Sequence, residues 1–145
     1  MGAARASHAA TLKSAQDLWD ADRRQEAIQL LEADVGRLRP EWVATDAFIV
    51  ATLATYLSDE GDPQRGLELL RLVPLDGVRL TDVHLICLGA RCACRAVAGD
   101  LSGARRDRYR TILAIAISRM SSAPAALSAG ISTLTVALSA TVVIS

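Results

Sequence analysis

Aromatic side chains are nearly missing from this chain: one Phe, two Trp and two Tyr make up 3% of 145 residues, although half of the composition is apolar. Any core must therefore be packed from Ala, Leu, Val and Ile. Strands are enriched in aromatic and β-branched residues, so this scarcity points to helices rather than sheets. Cysteine is also sparse, and Cys87, Cys92 and Cys94 sit close together with no matching group elsewhere. That excludes a disulfide framework and makes a reducing, cytoplasmic compartment the expectation. A net charge is lacking too, with sixteen basic against sixteen acidic residues, so the whole molecule has no strong field to attract nucleic acid. No apolar run follows Arg5, and Ala6 stands where a myristoylation motif needs Ser or Thr, so neither a secretory leader nor an acyl anchor is expected.

The charge that is present is unevenly placed. Residues 17–82 hold fourteen acidic and seven basic side chains, whereas residues 83–145 hold two acidic and seven basic. Such a dipole can steer a charged partner or favour head-to-tail self-association, and it equally describes a lopsided solvated surface.

About one domain's length is available, and its apolar residues fall on helical faces. Leu12, Ala15, Leu18 and Trp19 follow 3/4 spacing, as do Ala27, Leu30, Leu31 and Val35. Polar breaks separate the stripes at Asp22-Arg23-Arg24, Gly61-Asp62-Pro63 and Gly99-Asp100, and Pro40 and Pro74 fall in the links between pairs. Asp62 followed by Pro63 is a helix start, Gly61 a helix stop, and Asp100 or Ser102 caps the last helix. The reading is all-α, with helices over 7–21, 24–38, 43–60, 63–73, 80–98 and 101–119.

A small residue follows each break at a fixed distance. Ala27, Gly66 and Ala104 are 39 and 38 residues apart, a period typical of helical solenoids. The second helix of a pair must approach the first closely after a tight turn, and only Ala or Gly permits it.

With Ala15, Asp22 and Ala27 in the first unit, Ala54, Gly61-Asp62 and Gly66 in the second, and Gly99-Asp100 with Ala104 in the third, residues 8–119 resemble the tetratricopeptide family. The third unit departs from the pattern, placing Cys92 at the small position and Arg108 at a large apolar one, and the period exceeds the family's length of about 34. The resemblance implies an α-α superhelix, or solenoid, of three antiparallel helix pairs over residues 1–119. It implies a groove lined by the first helix of each pair, binding a helix or extended segment of another protein. By that analogy the partner-binding residues are Gln16, Asp20, Thr52, Tyr56, Arg91 and Arg95. The expected role is that of an adaptor or chaperone, similar in size to the small tetratricopeptide chaperones of bacterial secretion systems.

Catalytic and metal chemistry find little support. Cys92 and Cys94 on one helix point about 200° apart, and Cys87 with His84 supplies only two ligands, so no metal is expected. His8 lies near an end read as frayed, and His84 has no nucleophile motif beside it. The segment Gly99–Gly103 lacks the Lys of a phosphate loop. Arg105, Arg106, Arg108 and Arg110 spread around their helix with Asp107 among them, which suits a solvated face better than a nucleic-acid reader. Neither an enzyme nor a cofactor is expected.

Residues 120–145 contain no charge. From Ser122 and Pro124 onward, Leu127, Ile131, Leu134, Leu138 and Val142 share one helical stripe, and Ser128, Ser132, Thr135 and Ser139 form a narrower one of hydroxyls. Three readings stay open: a C-terminal apolar helix capping the repeats, a membrane span behind an Arg-rich flank, or a self-association segment. The last two define the alternative function, a membrane-anchored or self-assembling structural protein.

Overall fold

The computed structural model describes residues 2–38, 44–73, 75 and 82–122. Six helices make up this part: α1 (Gly2–Asp20), α2 (Arg24–Val35), α3 (Ala44–Asp59), α4 (Pro63–Leu70), α5 (Asp82–Val97) and α6 (Leu101–Ser122). No strand occurs among the described residues. Five helices match the sequence reading closely. The first begins at Gly2 rather than near residue 7, because Ala3, Ala4, Arg5 and Ala6 are strong helix formers and continue the turn. The link prolines Pro40 and Pro74, and the whole of residues 123–145, lie outside the described residues.

Three turns share one construction. Asp22, Gly61 and Gly99 each adopt a left-handed conformation, with φ of 60°, 88° and 85°. At each turn the next amide reaches back five residues, Arg23 to Leu18, Asp62 to Leu57 and Asp100 to Arg95, at 2.9, 2.8 and 2.9 Å. This pattern closes a helix by satisfying its last carbonyls, and glycine adopts it without steric cost. Asp22 manages it in the first unit because Asp tolerates left-handed backbone better than most residues. Asp62 and Asp100 then cap the following helices, accepting from the amides of Arg65 and Gly103 at 3.3 and 2.9 Å. Of the two cap candidates before α6, Asp100 does the work, while the Ser102 hydroxyl donates to its carboxylate. Arg23 has no side-chain cap to offer, so α2 starts without one.

Beyond each turn, the amides of Ala27, Gly66 and Ala104 bond to the carbonyls of Arg23, Asp62 and Asp100. All three small residues are buried, as their spacing anticipates. Gly66 is the tightest: a Cβ there would stand 2.8 Å from the Ala54 carbonyl oxygen and 2.9 Å from the Cys94 sulfur.

Two apolar clusters hold the helices, and α3 belongs to both. One face of α3 places Ile49, Leu53, Tyr56 and Leu57 with Ala15, Ala27, Ile28 and Leu31 of α1 and α2. Another places Ala47, Val50, Ala51 and Ala54 with Leu70, Cys87, Leu88 and Cys94 of α4 and α5. A helix apolar around most of its circumference is one enclosed by neighbours, and α3 packs against α1, α2, α4 and α5. Among the described helices α6 packs against α5 alone. No helix of the described residues is long and apolar enough to cross a membrane.

Candidate binding surface

Helices α1 and α3 meet through a polar-aromatic junction. Tyr56 stacks on Trp19 with ring centroids 3.8 Å apart, and its hydroxyl donates to Gln16 Oε1 at 3.3 Å. Gln16 Nε2 in turn donates to Asp20 Oδ1 at 3.0 Å. Arg24 from α2 lies over the Trp19 ring at 5.3 Å and pairs with Glu60 at 3.1 Å, so the cation is shared between ring and carboxylate. Tyr56 itself is buried, and burial together with the charges of Asp20 and Asp59 raises its pKa. Gln16, Asp20 and Tyr56, chosen from the sequence as separate contact points, therefore form one hydrogen-bonded chain, with only Gln16 and Asp20 exposed to a partner.

Thr52 lies one turn beyond Phe48 on α3 and donates to its carbonyl at 2.8 Å. Phe48, the chain's single phenylalanine, is 40% exposed and was not among the residues singled out by sequence. On α5 the exposed positions are Ile86, Gly89, Ala93, Ala96 and Val97, which fall on one side of the helix by the 100° step. A Cβ at Gly89 would meet nothing within 4 Å. Two thiols join these helices: Cys87 donates to the Ala47 carbonyl at 3.5 Å and Cys94 to the Ala54 carbonyl at 3.4 Å. Ile86 and Phe48 are the immediate chain neighbours of the first such pair. The sequence signal for this surface is an apolar residue in the polar gap of an amphipathic pattern.

Arg91 and Arg95 stand elsewhere. Both guanidinium groups close on Asp107 of α6: Arg91 through Nε and Nη2 at 2.9 and 2.8 Å, Arg95 through Nη1 at 2.9 Å. Asp107 is 0% exposed, so the two arginines are committed to neutralising a buried carboxylate rather than offered to a partner. Cys92, at the small position of the third unit, faces the Ala104 carbonyl at 3.3 Å and so fills the inter-helix contact its register requires.

His8 is not at a frayed end. Its Nδ1 bonds Asp34 Oδ2 at 2.9 Å and its Nε2 lies 3.7 Å from Asp46 Oδ1, both carboxylates being buried. The imidazole ties α1 to α2 and α3. With Nδ1 bonded to one carboxylate and Nε2 directed at another, the ring is held within the scaffold. Among the described residues no group of three His, Cys, Asp or Glu is arranged to hold a metal ion.

All three thiols are unpaired, and burial raises the pKa of each, pushing Cys87 up to about 11. A thiol in the unfolded chain titrates at about 8.5, so the folded state binds protons that the unfolded state gives up. This contribution to stability is fully present below that value and is lost as pH rises toward about 11. The urea midpoint is expected to hold steady from pH 7 to 8 and then fall by pH 10.5; an unchanged midpoint across that range would show the thiols to be solvated.

The outer side of α6 is apolar as well. Tyr109, Leu113, Ile117 and Met120 recur at 4, 4 and 3 residues, and all are exposed. No family model, no curated protein and no solved structure matches this chain.

Proposed function

We propose that this chain is a non-catalytic protein-interaction module, a cytoplasmic adaptor or chaperone that holds a helix or extended segment of another protein. The architecture proposed is tetratricopeptide-like, three antiparallel helix pairs stacked as a short solenoid. The observation that carries it is the turn at Asp22, Gly61 and Gly99, repeated at intervals of 39 and 38 residues with a buried small residue five positions later. Supporting it, the links between α5 and α6 run in opposing order, Arg95 to Gly103, Cys92 to Ala104 and Arg91 to Asp107. Those between α3 and α5 run in the same order, Ala47 with Cys87 and Ala54 with Cys94. First helices lying side by side in parallel are what stacked pairs require.

In this reading the partner lies along the exposed stripe of α5 and over Phe48 and the half-buried Thr52 of α3, with Phe48, Ile86 and Val97 as apolar contacts and Gly89 and Ala93 leaving room for its backbone. Thr52 contributes at the centre, and Gln16 and Asp20 extend the surface onto α1. A shallow apolar strip beside carboxylates favours a segment with apolar anchors at 3/4 spacing and basic flanks.

Selection of a displayed peptide library on the full chain tests this. Enriched peptides are expected to carry such anchors, and their affinity by fluorescence anisotropy is expected to fall at least tenfold for Gly89→Arg and Thr52→Arg. Gln64→Arg on α4, exposed and away from this surface, is expected to leave it unchanged. Selection of nothing, or equal loss in all three variants, overturns the reading.

A further inference from the structure

We infer that the outer face of α6 is a docking surface for an anionic lipid bilayer, with the helix lying along the headgroups. Among the described helices α6 packs against α5 alone, through contacts at Ala104 and Asp107. Tyr109 stands about 160° round the helix from Asp107, and Leu113 and Met120 fall within about 40° of Tyr109 by the 100° step. These three side chains are 50%, 58% and 51% exposed, so an apolar strip runs along the side of α6 turned away from the fold. From Tyr109 to Met120 it is about 16 Å long at the helical rise. Scattered exposed apolar residues need no explanation, but a contiguous strip of large ones marks a surface that meets something.

Cations line both edges of the strip. Arg105 stands about 40° to one side of Tyr109 and Arg106 about 60° to the other, and both are exposed. Arg108, Arg110 and Arg119 lie farther round the same helix. The two acidic residues nearby are engaged: Asp107 is buried against Arg91 and Arg95, and Asp100 caps the helix and lies 3.7 Å from Arg95. The acidic excess of the chain belongs to residues 17–82, at the far side of α5 from this face, so the molecule turns a basic edge outward here.

The combination selects the occupant. A bilayer rich in anionic lipid takes Tyr109, Leu113 and Met120 among its upper acyl chains and sets negative headgroups beside them. Arginine stems then lie along apolar surface while their guanidinium groups stay at headgroup level. Tyrosine suits that boundary, its ring apolar and its hydroxyl wet. A nucleic acid would satisfy the arginines but leave the apolar strip against a charged backbone. A second copy docked face to face would cover the strip but bring the arginines of the two copies together. This face is separate from the surface of α3 and α5, and the inference does not depend on that reading.

Flotation of the full chain with vesicles tests it. Vesicles of one-third phosphatidylserine in phosphatidylcholine are expected to carry at least fivefold more protein than phosphatidylcholine alone, with the difference shrinking as salt is raised. Leu113→Asp, and separately Arg105→Gln with Arg106→Gln, are expected to lower the bound fraction at least fivefold. Arg37→Gln with Arg71→Gln removes the same charge from exposed positions away from α6 and is expected to leave it unchanged. Far-UV circular dichroism separates loss of binding from loss of fold; should Leu113→Asp alter it, the arginine pair still decides. Failure to float, or undiminished flotation of the α6 variants, overturns the inference, the second result placing the lipid contact elsewhere in the chain. An equal loss in the Arg37 and Arg71 pair also overturns it, since diffuse charge would then suffice. So does a dimer, seen by sedimentation without vesicles, that Leu113→Asp dissociates, which would assign the strip to a second copy.

Discussion

Replacing Asp107 by Ala is expected to lower the unfolding free energy by about 3–5 kcal/mol, the usual cost of removing one partner from a buried ion pair. The carboxylate is fully enclosed and accepts from two guanidinium groups that are themselves mostly covered. Without it, Arg91 and Arg95 face each other across the gap with no anion between them. Burying two like charges side by side is unfavourable, so α6 would move off α5 to admit water. The loss is expected to show in urea unfolding. A triple replacement, Arg91→Met with Arg95→Met and Asp107→Leu, is expected to restore most of it, because an apolar filling of similar volume avoids the desolvation cost altogether. A loss under about 1 kcal/mol for Asp107→Ala would instead put the three groups in the class of exposed pairs.

The contrast between this triad and the turns explains how far the sequence could be read. Breaks at Asp22, Gly61 and Gly99 are local events: a left-handed residue and a small residue, with a cap between them at the second and third, lie within six positions of one another, and their chemistry can be read in order along the chain. The helices follow, because each adjoins one such signal. Asp107 is different, since its partners lie twelve and sixteen residues away on another helix. A lone acid among four arginines looks like a solvated face until the fold supplies Arg91 and Arg95. His8 departs from the sequence expectation for the same reason, its anchors Asp34 and Asp46 being supplied by α2 and α3. The groove analogy points to polar positions, whereas Phe48 on α3 and the exposed positions of α5 are mainly apolar or small. Periodicity locates the faces of a helix, but which face receives which neighbour is decided by tertiary packing.

Gly66→Leu is expected to be the most damaging change at any of the repeated small positions, costing about 3 kcal/mol or more through overpacking. The first atom added already conflicts: a Cβ there meets the Ala54 carbonyl oxygen, which belongs to the α3 backbone and cannot rotate away. The second obstacle, the Cys94 sulfur, is held by its own bond to that same carbonyl at 3.4 Å. Separating the helices to make room would open the cluster around Leu70, Leu88 and Ala54. Gly66→Ala divides the effect, because a helical Gly→Ala exchange alone gains up to about 1 kcal/mol in propensity. Against an overpacking cost of about 1–3 kcal/mol the net remains destabilising. Gly89→Ala supplies the control within the same fold. Its added methyl meets nothing, and its helix gains the propensity alone, so a small rise in stability of about 0.5–1 kcal/mol is expected. Thermal or urea unfolding of the two alanine variants side by side therefore has opposite expected signs. If Gly66→Ala proved as benign as Gly89→Ala, close approach at the small residue after each turn would cease to explain why the chain repeats as it does.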